Sequence, residues 1–488
     1  MTNAQKHRIV LFIPNVSWLN ERLLMSVPHS IAILSSILRD KFHVEIVDAT
    51  ANNLSPGQCK SMLQSIRPDA VLFSGLATFH HPKSIHYAIK IAKEACPDVV
   101  TVLGGIYPTI QPEVAARDKN VDFVFLGHAE ERVSDFLEAV FKGDLGVLKK
   151  MPGIGFHEPV TGQFICNPVK TVIGQVKDQV KPDYTLMDLT PYLVTDSLIG
   201  PTKTVSSVLV APILTSYGCP FECNFCATRT ISGRLVAYRP LDDIFEEMDY
   251  FVSAYGVKVF KLSDDNLLLK RERIEAICKE FQGKRWGDDV CWKTGGLMAK
   301  LLDEQLLEML AGSGCTEIVI SVESGSERVH REIIKKRIVL GDVPRIVRKC
   351  KEPGVLIRGT FVIGFPGERW DEIRQTFAFA EECDFDLCHF LIATPLPATE
   401  LYEQARKSGV LTDDFTLIDP VISGFNTGFI ETDEFTAQEL AILRAFEWDR
   451  INFKTPEKTE TIAKMYNMTP EQLRNHRKYT RSVLGHIR

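Results

Sequence analysis

The sequence has no excess of basic charge. Its 63 acidic and 57 basic residues leave a formal net charge of -6 over 488 residues, so the positive field that drives sequence-independent nucleic-acid binding is missing. Nucleic acid is not expected as a partner. No stretch reaches about 18 uninterrupted apolar residues, the length a membrane-spanning helix needs. The opening MTNAQKHRIVLFIP runs from a polar tail straight into a strand-like segment, without the pattern of a cleaved leader. A cytoplasmic protein with no transmembrane segment is the expectation. Cysteine is sparse: twelve in the whole chain are too dilute for a disulfide scaffold. All but three stand singly in apolar contexts, where a thiol acts as a small hydrophobe. The exceptions are Cys219, Cys223 and Cys226. With 45% hydrophobic and 25% charged residues the chain is of ordinary globular composition, and its length is a prior for about three domains.

From Arg8 onward, short apolar runs alternate with segments of helical period. Ile9–Ile13, Val44–Val47, Val71–Leu76, Val99–Leu103 and Val121–Leu126 read as strands, with helices such as Ser30–Leu38 and Lys83–Ala95 between them. That alternation predicts an α/β, doubly wound, Rossmann-like parallel sheet over residues 1–145. Ligands of such sheets sit outside the carboxyl ends of the strands. The candidate loops are therefore Pro14-Asn15, Ser74-Gly75-Leu76-Ala77-Thr78, Gly104-Gly105-Ile106-Tyr107-Pro108-Thr109 and Gly127-His128-Ala129-Glu130. Gly104 and Gly105 have no Cβ and so admit close approach of a bulky flat ligand, or simply form a tight turn. Residues 146–205, punctuated by prolines, read as a connector with a small strand pair.

Past the connector, Cys219, Cys223 and Cys226 follow the apolar run Val208–Leu214 at the spacing C-x3-C-x2-C. Three thiolates in one short loop suit an iron–sulfur cluster. Zinc would want a fourth ligand nearby, yet the next cysteine is Cys278. Further strand and helix alternation to Ile392 brings the strand count to six, a partial (β/α)6 barrel over residues 206–411, with its site at the carboxyl ends of the strands. Residues 412–488 read as a small helical region. After the second barrel strand comes Ser263-Asp264-Asp265-Asn266. A carboxylate there could hold the ammonium of a ligand, or cap the next helix.

Two groups of motifs carry a family resemblance. GGIYPT and GHAE in residues 8–145 resemble the cobalamin-binding domain found ahead of many radical S-adenosylmethionine (SAM) enzymes. The cysteine triad, Glu323-Ser324-Gly325-Ser326, Gly364-Phe365-Pro366-Gly367-Glu368 and Thr394-Pro395-Leu396-Pro397-Ala398-Thr399 resemble segments of the radical SAM barrel. The resemblance implies that Cys219, Cys223 and Cys226 bind a [4Fe–4S] cluster whose open iron chelates SAM. By the same likeness Phe225 packs near the adenine, Asp264 or Asp265 meets the SAM ammonium, Glu323 beside Ser324 takes the ribose hydroxyls, and Gly364 lines the adenine. Cobalamin would contact Ser74, Gly75, Thr78, Gly104, Gly105, Tyr107, Pro108, Thr109, Gly127 and Glu130. The D-x-H-x-x-G segment that gives cobalt a histidine in other cobalamin proteins is absent from the sequence, so a histidine from that motif is not expected on the metal.

Lys293, Arg337 and Arg358 are candidates for the SAM carboxylate or an anionic substrate, with plain solvation as the alternative. The function implied is a cobalamin-dependent radical SAM methyltransferase acting on an unactivated carbon through a 5′-deoxyadenosyl radical and methylcobalamin. It would need a small-molecule or natural-product substrate and a one-electron reductant such as flavodoxin or ferredoxin. A radical SAM cyclase or rearrangement enzyme is the alternative within enzymes. A non-catalytic iron–sulfur and cobalamin sensor is the alternative outside them.

Overall fold

The computed structural model describes residues 6–19, 26–75, 82–169, 180–193, 208–412, 415, 428–466 and 468–484. Two compact units divide the chain: the first is built on Met1–Tyr192 and takes in Thr230–Ala237, and the second holds Leu193–Arg229, Tyr238–Phe415 and Gly424–Arg488.

In the first unit the strands are β1 (Arg8–Ile13), β2 (His43–Asp48), β3 (Ala70–Gly75), β4 (Val100–Gly105), β5 (Phe123–Phe125), β6 (Ile154–His157) and β7 (Phe164–Cys166). They form one sheet in the order β2-β1-β3-β4-β5-β6-β7. The first five are parallel, as the alternation predicts. Val10, Phe12, Val71, Phe73 and Leu103 are buried because helices such as His29–Leu38 and Pro82–Ala95 leave neither sheet face open to water. The chain steps from β1 to β2 on one side and to β3 on the other, so the reversal of strand order, where such sheets bind ligands, lies between β1 and β3.

Two boundaries differ from the sequence reading. β4 continues through Gly104 and Gly105, which pair with Ser74 and Gly75 of β3 instead of starting a loop. The strand pair expected in the connector exists as β6 and β7, but it is antiparallel and extends the first sheet from β5. Gly155 permits this, because a Cβ there would come within 2.6 Å of Val124.

The main sheet of the second unit contains β8 (Val210–Ile213), β9 (Val259–Leu262), β10 (Cys291–Leu297), β11 (Cys315–Glu323), β12 (Leu356–Ile363) and β13 (Leu387–Ile392). All are parallel, and each is bonded to its successor in sequence. Helices Leu241–Tyr255, Arg271–Gln282, Glu304–Gly312, Val343–Lys351 and Trp370–Cys383 alternate with them. Gly256, in the left-handed conformation at φ 68°, ends the first of these. The far edge, β13, is covered by the C-terminal helices. Asn452, at the end of helix Ala437–Asn452, accepts a hydrogen bond from the Cys388 amide at 2.7 Å and donates one to the Cys388 carbonyl at 2.9 Å. Leu387 packs with Ile462, Ala463 and Leu473 of the two helices that follow. An edge that would otherwise offer unpaired peptide groups is thereby closed.

Candidate active site

Cys219, Cys223 and Cys226 lie in the loop that leaves β8; the first two are half-buried and the third is exposed. The carboxylates after β9 fix this loop. Asp265 accepts from the Gly218 amide at 2.8 Å and from the Thr228 hydroxyl at 3.2 Å. Asp264 accepts from the Thr215 amide at 2.7 Å and from the Thr215 and Ser216 hydroxyls at 2.5 Å each. Further along, the Asn224 amide donates to the Ile334 carbonyl, and the Asn224 carbonyl accepts from the Leu401 amide. Both carboxylates therefore tie the strand end after β9 to the loop that leaves β8. Helix capping does not describe them, since the next turn starts at Asn266 without a side-chain cap.

Burial pushes the Cys223 thiol up to about 11 and raises that of Cys219; Lys336 opposes the shift at Cys223, while Glu323 and the other thiols add to it. Both shifts favour the thiol over the thiolate at Cys219 and Cys223, so iron must displace their protons. Among the described residues no three His, Cys, Asp or Glu side chains gather to hold a single metal ion. Positive charge surrounds the loop: the Lys300 ammonium lies 3.9 Å from the centre of the Phe221 ring, and Lys300 feels Arg337, Lys336 and the thiols Cys223 and Cys219.

Glu323 ends β11 with φ 74°, at a register shift against β12. Its carboxylate accepts from buried Lys336 at 2.8 Å, and the same ammonium donates to the Ser321 carbonyl at 2.6 Å. Lys336, thirteen residues on, thus supplies Glu323 with a partner inside the protein. Ser324 is fully buried, accepts from the Ser326 amide at 3.1 Å and lies 3.2 Å from the Thr376 hydroxyl, which makes it a turn residue. Gly364 has φ 86°, and a Cβ there would meet Leu440 at 2.5 Å. The amides of Gly364 and Phe365 donate to buried Glu368 at 2.7 and 3.0 Å, whose acid burial pushes up to about 8. Phe225 packs on Phe365 with ring centres 5.7 Å apart, so the cysteine loop and the Gly364 turn are neighbours.

In the first unit, a Cβ on Gly105 (φ 95°) would stand 2.6 Å from the Gly75 carbonyl oxygen and 2.8 Å from its nitrogen. The bareness of Gly105 and Gly75 serves the β3–β4 contact itself, not only a ligand. Tyr107 and Pro108 are buried. The Tyr107 hydroxyl sits 3.1 Å from His86 Nε2, and His86 Nδ1 is 2.9 Å from Asp118, so Tyr107 is tied into the protein. Thr109 joins two loops: its hydroxyl donates to the Gly105 carbonyl at 2.6 Å and accepts from the Gly127 amide at 2.9 Å. Ser74, Gly104, Gly127 and Glu130 keep accessible surface. Thr78 lies outside the described residues.

A parallel barrel-type sheet with a cysteine triad at its carboxyl edge, preceded by a doubly wound sheet with Gly-rich strand ends, defines a class, and comparison with known families agrees. The Radical SAM superfamily model matches residues 213–380, and the B12 binding domain model matches residues 23–137. The chain belongs to the radical SAM enzymes that carry a cobalamin-binding domain, and this membership implies a [4Fe–4S] cluster, SAM and cobalamin as cofactors. Among curated relatives it is 28% identical over 422 residues to an uncharacterized methyltransferase of Pyrococcus horikoshii, covering 85% of this chain and 87% of that one. It is 25% identical over 394 residues to the cytidylyl-2-hydroxyethylphosphonate methyltransferase of Streptomyces wedmorensis, covering 75% of this chain and 71% of the relative. Its fold matches that of TsrM, a radical SAM methyltransferase of Kitasatospora setae, with a TM-score of 0.66 at 19% identity, over 83% of this chain and 77% of TsrM. No helix among the described residues is long and apolar enough to cross a membrane.

Proposed function

We propose that the protein is a cobalamin-dependent radical SAM methyltransferase that adds a methyl group to an unactivated carbon of a small molecule. The observation that carries this reading is the cysteine loop. Its three thiols and no fourth ligand are locked to a barrel edge by Asp264 and Asp265, in a chain whose first sheet matches the B12 binding domain. Cys219, Cys223 and Cys226 would hold the cluster and leave one iron for SAM. When bound, the cluster supplies an electron for SAM cleavage and cobalamin supplies a transferable methyl group.

The chain's own residues position and balance charge. Asp265 holds the Gly218 end of the loop, Lys300 and Lys336 offset thiolate charge, and Phe225 with Phe365 forms an apolar wall suited to an adenine. In the first unit, Ser74, Gly104, Thr109, Gly127 and Glu130 line strand ends where cobalamin would lie. We assign the reductant to the flavodoxin or ferredoxin class. All twelve cysteines are unpaired, which fits the reducing cytoplasm.

The test is anaerobic reconstitution with iron, sulfide and cobalamin, then reduction in the presence of SAM and candidate substrates. Formation of 5′-deoxyadenosine together with a product heavier by one CH2 is expected. The adenosine product without the mass gain would transfer the reading to a cyclase or rearrangement enzyme. Its absence from a fully loaded protein would leave a sensor.

A further inference from the structure

The barrel strands carry an unusual charge pattern away from the cysteine loop. Lys261, Lys293 and Glu317 are register neighbours on β9, β10 and β11, so their side chains share one face. Arg358 shares that face because it lies two residues from Leu356, the register partner of Glu317. His389 shares it through Thr360, again two residues from Arg358. The opposite face carries Phe260, Trp292, Ile318, Ile357 and Cys388, all fully or almost fully buried. This leaves the charged face toward the barrel interior.

Like charges on adjacent strands repel, yet Lys261 and Lys293 are direct neighbours. The six strands contain two carboxylates. One, Glu323, is paired with Lys336 at the strand end. The other, Glu317, accepts from Arg358 at 2.7 Å. One carboxylate thus faces two lysines and a guanidinium. Burial and Arg358 lower both lysines, with Glu317 alone opposing, and Lys293 falls to about 8. Two donors at the same place have no partner among the described residues: Arg358 Nε and the Tyr466 hydroxyl, which comes from the C-terminal helices and feels both Arg358 and Glu317. Buried donors are almost always satisfied in folded proteins. Lys261, Arg358 and His389 also keep accessible surface despite facing inward.

We propose that this layer is an oxyanion subsite, which seats a carboxylate or phosphoryl-type group of the substrate on the Arg358 guanidinium, the Tyr466 hydroxyl and the two lysines. A guanidinium with adjacent ammonium groups is the usual protein answer to such planar or tetrahedral oxyanions. The inference rests on the enzymatic reading above for what the subsite is for, and it makes the substrate an anion. A structural plug would bring acids and bases together in balance and leave no donor over.

The test uses the full chain without SAM or reductant, so its outcome does not depend on whether a methyl group is transferred. Phosphate, acetate and chloride are titrated at matched ionic strength, with heat of binding and melting temperature as readouts. Saturable binding of phosphate or acetate, absent with chloride, is expected, and Arg358→Gln should weaken it roughly tenfold. If Arg358→Gln fails to fold, Glu317→Gln decides. Releasing Arg358 from its carboxylate should tighten anion binding and raise the melting temperature more steeply with phosphate, whereas a plug would only lose stability. Cys226→Ala should bind the anion as the parent does. Overturning results are binding unchanged in Arg358→Gln, no binding in either the parent or Glu317→Gln, an equal effect of chloride, or loss of binding in Cys226→Ala, which would put the anion at the cluster.

Discussion

Both units place their glycine-rich and charged motifs at the carboxyl ends of parallel strands, but they hold those ends by different means. In the first unit the ends meet backbone to backbone: Gly105 lies on Gly75, and the Thr109 hydroxyl ties Gly105 to Gly127. In the barrel the ends are held by acidic and basic side chains, Asp264 on Thr215 and Ser216, Asp265 on Gly218, and Lys336 on Glu323. A surface built from peptide groups suits a large flat cofactor that needs close approach. A frame of charges suits a cluster whose own charge changes during turnover. The first kind of site is broken by adding a carbon, the second by removing a charge.

The largest effect is expected from Cys223→Ala, which removes one of three cluster ligands. Cluster absorbance and 5′-deoxyadenosine formation should both vanish, while cobalamin loading of the first unit stays. Loss of cobalamin in the same variant would show that the two sites are not independent. Next comes Lys336→Met, which leaves buried Glu323 without its cation. Breaking such a pair costs about 3–5 kcal/mol, readable as a lowered urea midpoint with an unchanged slope. Recovery of stability in Lys336→Met with Glu323→Gln would confirm that the stranded charge was the cause. In the first unit Gly105→Ala puts a carbon against the Gly75 backbone at a left-handed φ, a cost of about 2–4 kcal/mol from overpacking and strain together. Cobalamin loading should fall with it, and normal stability in that variant would show that β4 can shift away from β3.

Much of this was legible in the sequence because the signals are local. The alternation of apolar runs matches the six strands of the barrel sheet in number, and the triad announced itself by spacing. What escaped depends on distant neighbours. The commitment of Asp264 to Thr215 and Ser216 joins residues nearly fifty positions apart across β8 and β9. Lys336 becomes the partner of Glu323 only because the turn Val329–Ile334 brings it back over the strand end. The role of Gly105 needed the β3–β4 register, since a glycine pair that continues a strand reads the same as one that begins a loop. Lys293 and Arg358 were visible as charged residues, but their shared face with Lys261 follows from register alone.

The smallest effect concerns Glu368, which sits under the Gly364 turn and accepts the amides of Gly364 and Phe365. Burial, its first cause, pushes its acid from the ordinary value of 4.5 up to about 8, against the two amide bonds that favour the carboxylate. Between those values the folded protein holds a proton that the unfolded chain has released. Since stability falls with pH wherever the native state binds more protons, the contribution of Glu368 is whole below about 4.5 and is lost as pH rises toward about 8. Glu368→Gln keeps an acceptor for the amides and removes the titration. The variant should therefore melt at nearly the parent temperature at pH 5 and gain on the parent steadily up to about pH 8. Parallel curves for the two proteins across that range would mean that Glu368 is ionised in the fold and held by its amide partners.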